Sequence, residues 1–438
     1  MEEGEHRNNS ELAPGGGPQR AWLWVPVLYL TQGLPYILVI SVSVILYKRL
    51  GVSNEEIGYY TSLLYLPWVL KPLWSPWVDQ LRNNRRIFLL MQYLMAACFL
   101  LSGFFLRTSL FFEISLGCFW VSAIASATND IATDGFYLQR LTEKQQSFYV
   151  GIRSTFYRIA FISGEGLLVI LAGWWEETYG DPARAWSLTM LVSGLILFGL
   201  AVANSLLTRG RKDRTEGREG SDPSGDSYLK QLRAFFGKPG IGWALAFILT
   251  YRLGEGLLVK MSSPFLLDAI HEGGMALSTR ELGLIKGTAG IIALSAGGIA
   301  GGILISRNGL KRWMLPMMLA LNLPNLGYAI LAYLGEAELA SIGLVVILEQ
   351  LGYGFGFAAF LMYLIYISKG AHPTSHYALA TGFMALGLML PGFLSGLLQE
   401  VVGYGHFFLL VILAGIPSFL ILTQLDYPPD FGKKTSIR

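Results

Sequence analysis

Val52-Ser53-Asn54-Glu55-Glu56-Ile57-Gly58 follows the first long apolar run of the chain, and Leu277-Ser278-Thr279-Arg280-Glu281-Leu282-Gly283 follows the seventh. Each is a Ser-x-x-Glu helix start, in which the hydroxyl accepts from the backbone N–H of the Glu and the carboxylate accepts from that of the Ser. One such box announces only that a helix begins. Two of them, at the same place in two successive sets of six apolar runs, mark a duplicated unit.

The runs lie near 21–47, 55–78, 87–106, 110–138, 147–175 and 185–207, then near 239–267, 281–306, 313–333, 340–368, 377–399 and 406–425. A helix of roughly 20 apolar residues crosses about 30 Å of hydrocarbon. Of the 438 residues 53% are hydrophobic and 14% charged, with a mean hydropathy of +0.47; soluble domains carry about 25% charged residues. Such a composition excludes an ordinary soluble enzyme, a disordered chain and a secreted disulfide scaffold. A β-barrel would show short alternating segments instead. The expectation is an all-α integral membrane protein of twelve transmembrane helices in two six-helix bundles.

Orientation follows from Lys and Arg, because basic loops stay cytoplasmic. With both termini inside, 22 of the 33 basic residues fall in inner segments, and five (Lys48, Arg49, Arg107, Arg184, Arg280) fall in outer loops. The expected organisation is a disordered cytoplasmic tail over 1–20, which lacks the marks of a signal peptide, and an N-terminal bundle over 21–207. A cytoplasmic linker over 208–238 is too polar to fold alone; a C-terminal bundle over 239–425 and a tail over 426–438 complete the chain.

Six basic residues lie within runs: Lys71, Arg153, Arg158, Arg252, Lys260 and Lys286. Charge inside a membrane costs about 2.5–3.5 kcal/mol on insertion scales and turns toward a bundle interior or a wet cavity. Asp130 and Asp134, four apart, share one face of the fourth helix, and Arg153 stands at similar depth, so an Asp134–Arg153 pair is expected. It serves either transport or a plain latch between the fourth and fifth helices. Arg158 and Glu165, seven apart, share a face, as do Arg252 and Glu255, three apart near mid-depth. Both couples suit a carboxylate that exchanges a proton for a salt bridge. Glu349 adds a further coupling or binding group above Gln350, Tyr353, Tyr363 and Tyr366. Lys71 stands among Pro67, Trp68, Pro72, Trp74, Pro76 and Trp77, where it binds cargo or snorkels to the interface.

Six interior cations against five interior acids suit an anionic or zwitterionic solute. Aromatic walls with Gln32, Asn129 and Gln350 suit a sugar. The glycines Gly290, Gly297, Gly298, Gly301 and Gly302 give the eighth helix a face for close packing. No Lys-Ser or Lys-Thr follows them, so they are no phosphate loop. The histidines His6, His271, His372, His376 and His406 sit in tails, loops or at a span edge. No catalytic residue, metal site, cofactor or nucleic-acid partner is expected; the partners are a small-molecule substrate, protons and the lipid bilayer, and the state a monomer.

The loop Asp79-Gln80-Leu81-Arg82-Asn83-Asn84-Arg85-Arg86 and its counterpart Ser306-Arg307-Asn308-Gly309-Leu310-Lys311-Arg312 resemble, each in part, the signature loop of the major facilitator superfamily. Asp79, Arg85, Arg86, Arg307, Lys311 and Arg312 are its candidate conformational residues, and a major facilitator fold is the implied architecture. Thr31-Gln32-Gly33-Leu34-Pro35-Tyr36, Leu66-Pro67-Trp68-Val69-Leu70-Lys71-Pro72-Leu73-Trp74-Ser75-Pro76, Ser126-Ala127-Thr128-Asn129-Asp130-Ile131-Ala132-Thr133-Asp134-Gly135, and the stretch from Tyr377 to Gly392 resemble the AmpG-type permeases within that superfamily. That family also includes acetyl-CoA transporters. The resemblance implies proton-coupled import of GlcNAc-anhydro-MurNAc peptides, released from peptidoglycan, across the bacterial inner membrane. Some bacterial members carry two further spans, for which this chain has no room. The alternative within the superfamily is another polar or anionic cargo: an acyl-CoA, a siderophore or an exported drug.

Overall fold

A computed structural model of the protein describes residues 21–80, 83–209, 228–370 and 372–433. Ten helices in it are long and apolar enough to cross a membrane. Two local interruptions account for the difference from twelve. The second helix is split into Asn54–Leu63 and Leu66–Gln80, and Pro373–Leu422 runs on through Gly403, whose φ of 72° and ψ of 165° end one helix and start the next. Only glycine adopts that backbone without strain.

The spans are therefore α1 (Ala21–Arg49), α2 (Asn54–Leu63 and Leu66–Gln80), α3 (Asn84–Phe105), α4 (Phe111–Arg140), α5 (Glu143–Phe161 running on to Tyr179) and α6 (Pro182–Leu207). The second set is α7 (Ile241–Leu267), α8 (Thr279–Asn308), α9 (Leu310–Leu334), α10 (Leu339–Ser368), α11 (373–402) and α12 (404–422). A short helix, Tyr228–Phe236, precedes α7 within the stretch expected to be unstructured. It is strongly two-faced, and Phe235 is fully buried against the second bundle.

Both Ser-x-x-Glu boxes form. Ser53 Oγ accepts from Glu56 N and Ser278 Oγ from Glu281 N, each at 3.2 Å, and the two carboxylates accept from the serine N–H groups in return. Several spans are not plain α-helices. Leu38–Val42 in α1, Ile162–Leu168 in α5 and Gly283–Gly290 in α8 are π-helical, and α7 is broken at Arg252 (φ −112°, ψ 21°). Each irregularity turns the residues beyond it onto a new face.

The two bundles share one apolar core at the end of the molecule that carries the α1–α2 and α7–α8 turns. Val44, Ile45, Leu46, Val52 and Ile57 of the first bundle join Phe265, Leu266, Met275, Leu277 and Leu388 of the second. At the opposite end the cores are separate. One contains Trp24, Val25, Leu28, Phe88, Phe136 and Tyr149; the other contains Phe247, Ile305, Leu310, Met314, Phe360 and Leu364. The first end is closed and the second is parted.

Candidate functional site

Two polar networks tie the bundles together at the closed end. Lys48 Nζ lies 2.5 Å from Asp268 Oδ1, and Asp268 Oδ2 accepts from the Tyr404 hydroxyl at 2.6 Å. Asn54 completes this network: its Oδ1 accepts from Lys48 Nζ at 2.9 Å, and its Nδ2 donates to Gln399 Oε1 at 2.6 Å and to the Tyr404 oxygen at 2.9 Å. In the second network Glu176 of α5 gathers Arg49 Nη2 at 2.9 Å, Trp186 Nε1 at 2.8 Å and Thr279 Oγ1 at 2.6 Å. Backbones touch here as well. A Cβ on Gly396 would fall 1.8 Å from Asn54 O, and one on Gly287 would fall 2.0 Å from Glu165 O.

Below this seal lies the charged centre. Lys286 Nζ donates to Ser263 Oγ at 2.6 Å and Ser262 Oγ at 2.9 Å, and Glu165 Oε1 stands 3.8 Å away across the join between bundles. Glu255 and Glu349, both buried, lie within electrostatic reach of Lys286 and of one another. Gln350 Nε2 donates to Glu349 Oε2 at 3.0 Å. Arg252 donates to the Tyr353 hydroxyl and spreads its guanidinium over the rings of Tyr353 and Phe357, 5.2 and 4.8 Å from their centroids. Lys260 reaches across to Thr61 Oγ1 at 2.9 Å and stands over the Tyr65 ring. Around them stand Tyr36, stacked on Phe161 and edge-on to Trp68.

Toward the parted end the groups become wetter. Lys71 Nζ is 3.5 Å from Asp130 Oδ2, with side-chain exposures of 30% and 14%, and Trp68 Nε1 donates to the same oxygen at 3.3 Å. Gln32 faces that carboxylate from α1. Arg153 Nη2 is 3.3 Å from Asp134 Oδ1, exposed to 33% and 37%; Tyr29 donates to that oxygen at 3.0 Å, and Arg153 lies over its ring.

The Asp134–Arg153 pair thus forms as the helix spacing suggests, and Lys71 binds Asp130 where snorkelling was the rival reading. Neither of the other two couples closes into an ion pair, although Arg252 stays within electrostatic reach of Glu255. Glu165 pairs with Lys286, while Arg158 has no ion-pair partner among the described residues; one of its nitrogens reaches toward Gly298 of α8 and Nη1 is buried without a hydrogen bond. A straight helix would put Arg158 and Glu165 on one side, but Glu165 sits inside the π-helical Ile162–Leu168, where an extra residue per turn swings the face by about 100°. Arg252 occupies the break in α7 and points at α10, and Glu255 Oε2 has no hydrogen-bond partner. Lys48, Asp268, Glu176, Lys260 and Lys286 carry the cross-bundle contacts, and none was singled out as a site residue from sequence. The signal was present: Lys48 and Arg49 are cations in outer loops, where few occur, and Lys260 and Lys286 are cations inside spans.

The signature loops lie at the parted end. Arg85 donates from Nε to Thr208 Oγ1 at 3.0 Å and from Nη2 to Ser205 O at 2.8 Å, at the end of α6. In the second copy Leu310 N donates to Phe431 O at 2.8 Å, and Lys311 lies over the Tyr427 ring, just past α12. Both loops therefore hold the tail of the last span of their own bundle. Arg86, Arg307 and Arg312 are exposed; the side chain of Asp79 and residues 81 and 82 lie outside the described residues. So do 1–20, most of the linker and the last five residues.

Residues 27–396 match the Major Facilitator Superfamily, and the chain belongs to it. It is 25% identical over 376 residues to the anhydromuropeptide permease of Escherichia coli, covering 85% of this chain and 73% of that protein. Among solved structures, a bacterial homologue of the human lysosomal transporter Spinster, captured inward-facing and unoccupied, superposes with a TM-score of 0.71 at 14% identity over 95% of this chain and all of that one. A D-xylose–proton symporter superposes with 0.69 at 11% identity, over 95% and 99%. The protein is a multi-pass membrane transporter, and its relatives carry small molecules.

Proposed function

We propose that this member of the superfamily imports peptidoglycan-derived anhydromuropeptides (GlcNAc-anhydro-MurNAc peptides) across the bacterial inner membrane together with protons, as a monomer with both termini and the 208–238 linker in the cytoplasm. The observation that carries the reading is the mixed centre between the bundles. An aromatic wall of Tyr36, Tyr65, Trp68 and Tyr353 offers faces for sugar rings, and Arg252, Lys260 and Lys286 offer charge to the carboxylates of a peptide. The likeness to the Escherichia coli permease supplies the cargo class.

Glu165, Glu255 and Glu349 bring three carboxylates against the ammonium of Lys286. A carboxylate of this set that trades its cation for a proton is the natural seat of a transported proton. With the basic loops taken as cytoplasmic, the parted end faces the cytoplasm and the sealed end the periplasm. Alternating access then requires the Lys48–Asp268 and Thr279–Glu176 contacts to open while the Asp134 end closes.

Proteoliposomes given labelled GlcNAc-anhydro-MurNAc tripeptide are expected to accumulate it when an inward proton gradient is imposed and to stop when a protonophore is added. Glu255→Gln and Arg252→Gln are expected to insert normally and to lose uptake by about tenfold or more, the loss of one charged hydrogen bond. Folded wild-type protein that takes up none of the tripeptide would move the cargo to another solute of the superfamily. Normal uptake by both variants would remove the centre from the mechanism.

A further inference from the structure

The cations of the centre and of the closed end fall into two groups. Lys48 has Asp268, Arg49 has Glu176, and Lys286 has Glu165 with two serine hydroxyls. Arg252 makes no ion pair within 4.0 Å among the described residues but keeps Glu255 within electrostatic reach, whereas Lys260 stands apart. It is 1% exposed, has no carboxylate within 4.0 Å among the described residues, and its ammonium donates to one partner, Thr61 Oγ1. An ammonium carries three donors, and burying one with no counter-ion is costly.

A second unsatisfied group stands beside it. Ser62 Oγ is buried without a hydrogen-bond partner. Both pack on Gly392 of α11: a Cβ built there would lie 2.7 Å from Ser62 Oγ and 3.3 Å from Lys260 Cγ, so only a glycine lets α11 approach the pair this closely. The Tyr65 ring lies against the ammonium, 5.2 Å from Nζ to its centroid. Thr61, Ser62 and Tyr65 belong to the first bundle, Lys260 and Gly392 to the second.

We infer that Lys260 and Ser62 form a carboxylate-binding subsite at the join of the bundles, where an acid group of the cargo, on sugar or peptide, supplies the missing counter-ion. The inference rests on the reading of this centre as the substrate site. A carboxylate there accepts from the two free ammonium donors and from the serine hydroxyl, touching both bundles at once. An incoming anion thus adds to the Thr61 tether a second link between α2 and α7, which gives the cargo a differential hold on the state in which it is bound.

The test uses the purified full-length protein with glucuronate, its methyl ester and glucose as probes, read by thermal stabilisation, beside uptake of the tripeptide in its free-acid and carboxyl-amidated forms. Glucuronate is expected to stabilise the wild type, while the ester and glucose do not. Lys260→Met, which fills the same volume and removes a buried charge, is expected to raise the concentration for half-maximal stabilisation by about tenfold to a hundredfold, and Lys260→Arg to restore part of it. Ser62→Ala is expected to give a smaller loss. In uptake, the amidated cargo is expected to be indifferent to Lys260→Met, and comparison of singly amidated forms tells which acid is read. Equal stabilisation by glucuronate and its ester, no stabilisation of the wild type, or an unchanged Lys260→Met response would overturn the subsite. Glucuronate binding through Lys260 without tripeptide uptake would leave the subsite standing and remove the cargo assignment; wild-type uptake by Lys260→Met would do the reverse.

Discussion

The two ends of the molecule are built from the same repeated helices yet differ in every kind of contact. At the closed end apolar side chains of both bundles form one core, backbones meet at Gly396 and Gly287, and ion pairs cross between the bundles, Lys48–Asp268 at 16% and 7% exposure inside and Arg280–Glu177 on the wet rim. At the parted end each bundle has its own core, and the ion pairs, Lys71–Asp130 and Arg153–Asp134, join helices within one bundle and are up to 37% exposed. One end is glued by interactions that gain strength from exclusion of water, and the other is lined by interactions that tolerate water. If the ends alternate as proposed, the difference identifies which contacts break in transport and which persist.

The largest expected effect comes from leaving a charge behind in the seal. Asp268→Ala strands Lys48 and removes the acceptor of Tyr404, and breaking a buried pair in this way costs about 3–5 kcal/mol. The expected outcome is a seal that opens, read as labelling of a cysteine placed at Ile57 by a membrane-impermeant maleimide; Lys48→Met combined with Asp268→Leu should restore protection, since no orphan charge remains.

Overpacking tests the backbone contacts. Gly287→Val places carbon atoms into Glu165 O, and strain of this kind costs about 1–3 kcal/mol. Weaker contact between α5 and α8 should lower the melting temperature and raise the same labelling. Gly302→Val, on the same helix with open space around it, is expected to change neither.

The smallest effect belongs to the parted end. Arg153→Ala removes a pair exposed by about a third, and such pairs contribute about 0.2–1 kcal/mol. Little change in melting temperature is expected, and a large one would mean that this pair, too, latches the structure. A clear fall in uptake with stability preserved would place the pair in transport.

Much of this was legible beforehand. Apolar run length, the repeated boxes and the basic loops led to twelve spans in two related sets, because crossing a bilayer constrains length and hydropathy strongly. Helical spacing was also enough for Asp134 and Arg153, since α4 is regular around Asp130 and Asp134 and Arg153 lies before the π-helical turn of α5. It failed for Arg158 and Glu165, where a π turn intervenes, and left Arg252 and Glu255 as neighbours without an ion pair, where α7 breaks. Nothing in a short stretch of apolar sequence announces either irregularity.

By itself the sequence determined the membrane class, the duplication and the inventory of interior charge. The tertiary structure alone decided which acid faces which base, that Lys260 lacks a counter-ion, and which end is closed. The physical reason is that a helix period assigns a residue to a side of its own helix, whereas the partner on that side belongs to a helix up to 350 residues away, as for Asn54 and Tyr404. Which end is closed is a property of the pairing between two bundles, and one sequence must allow both pairings for a transporter to work.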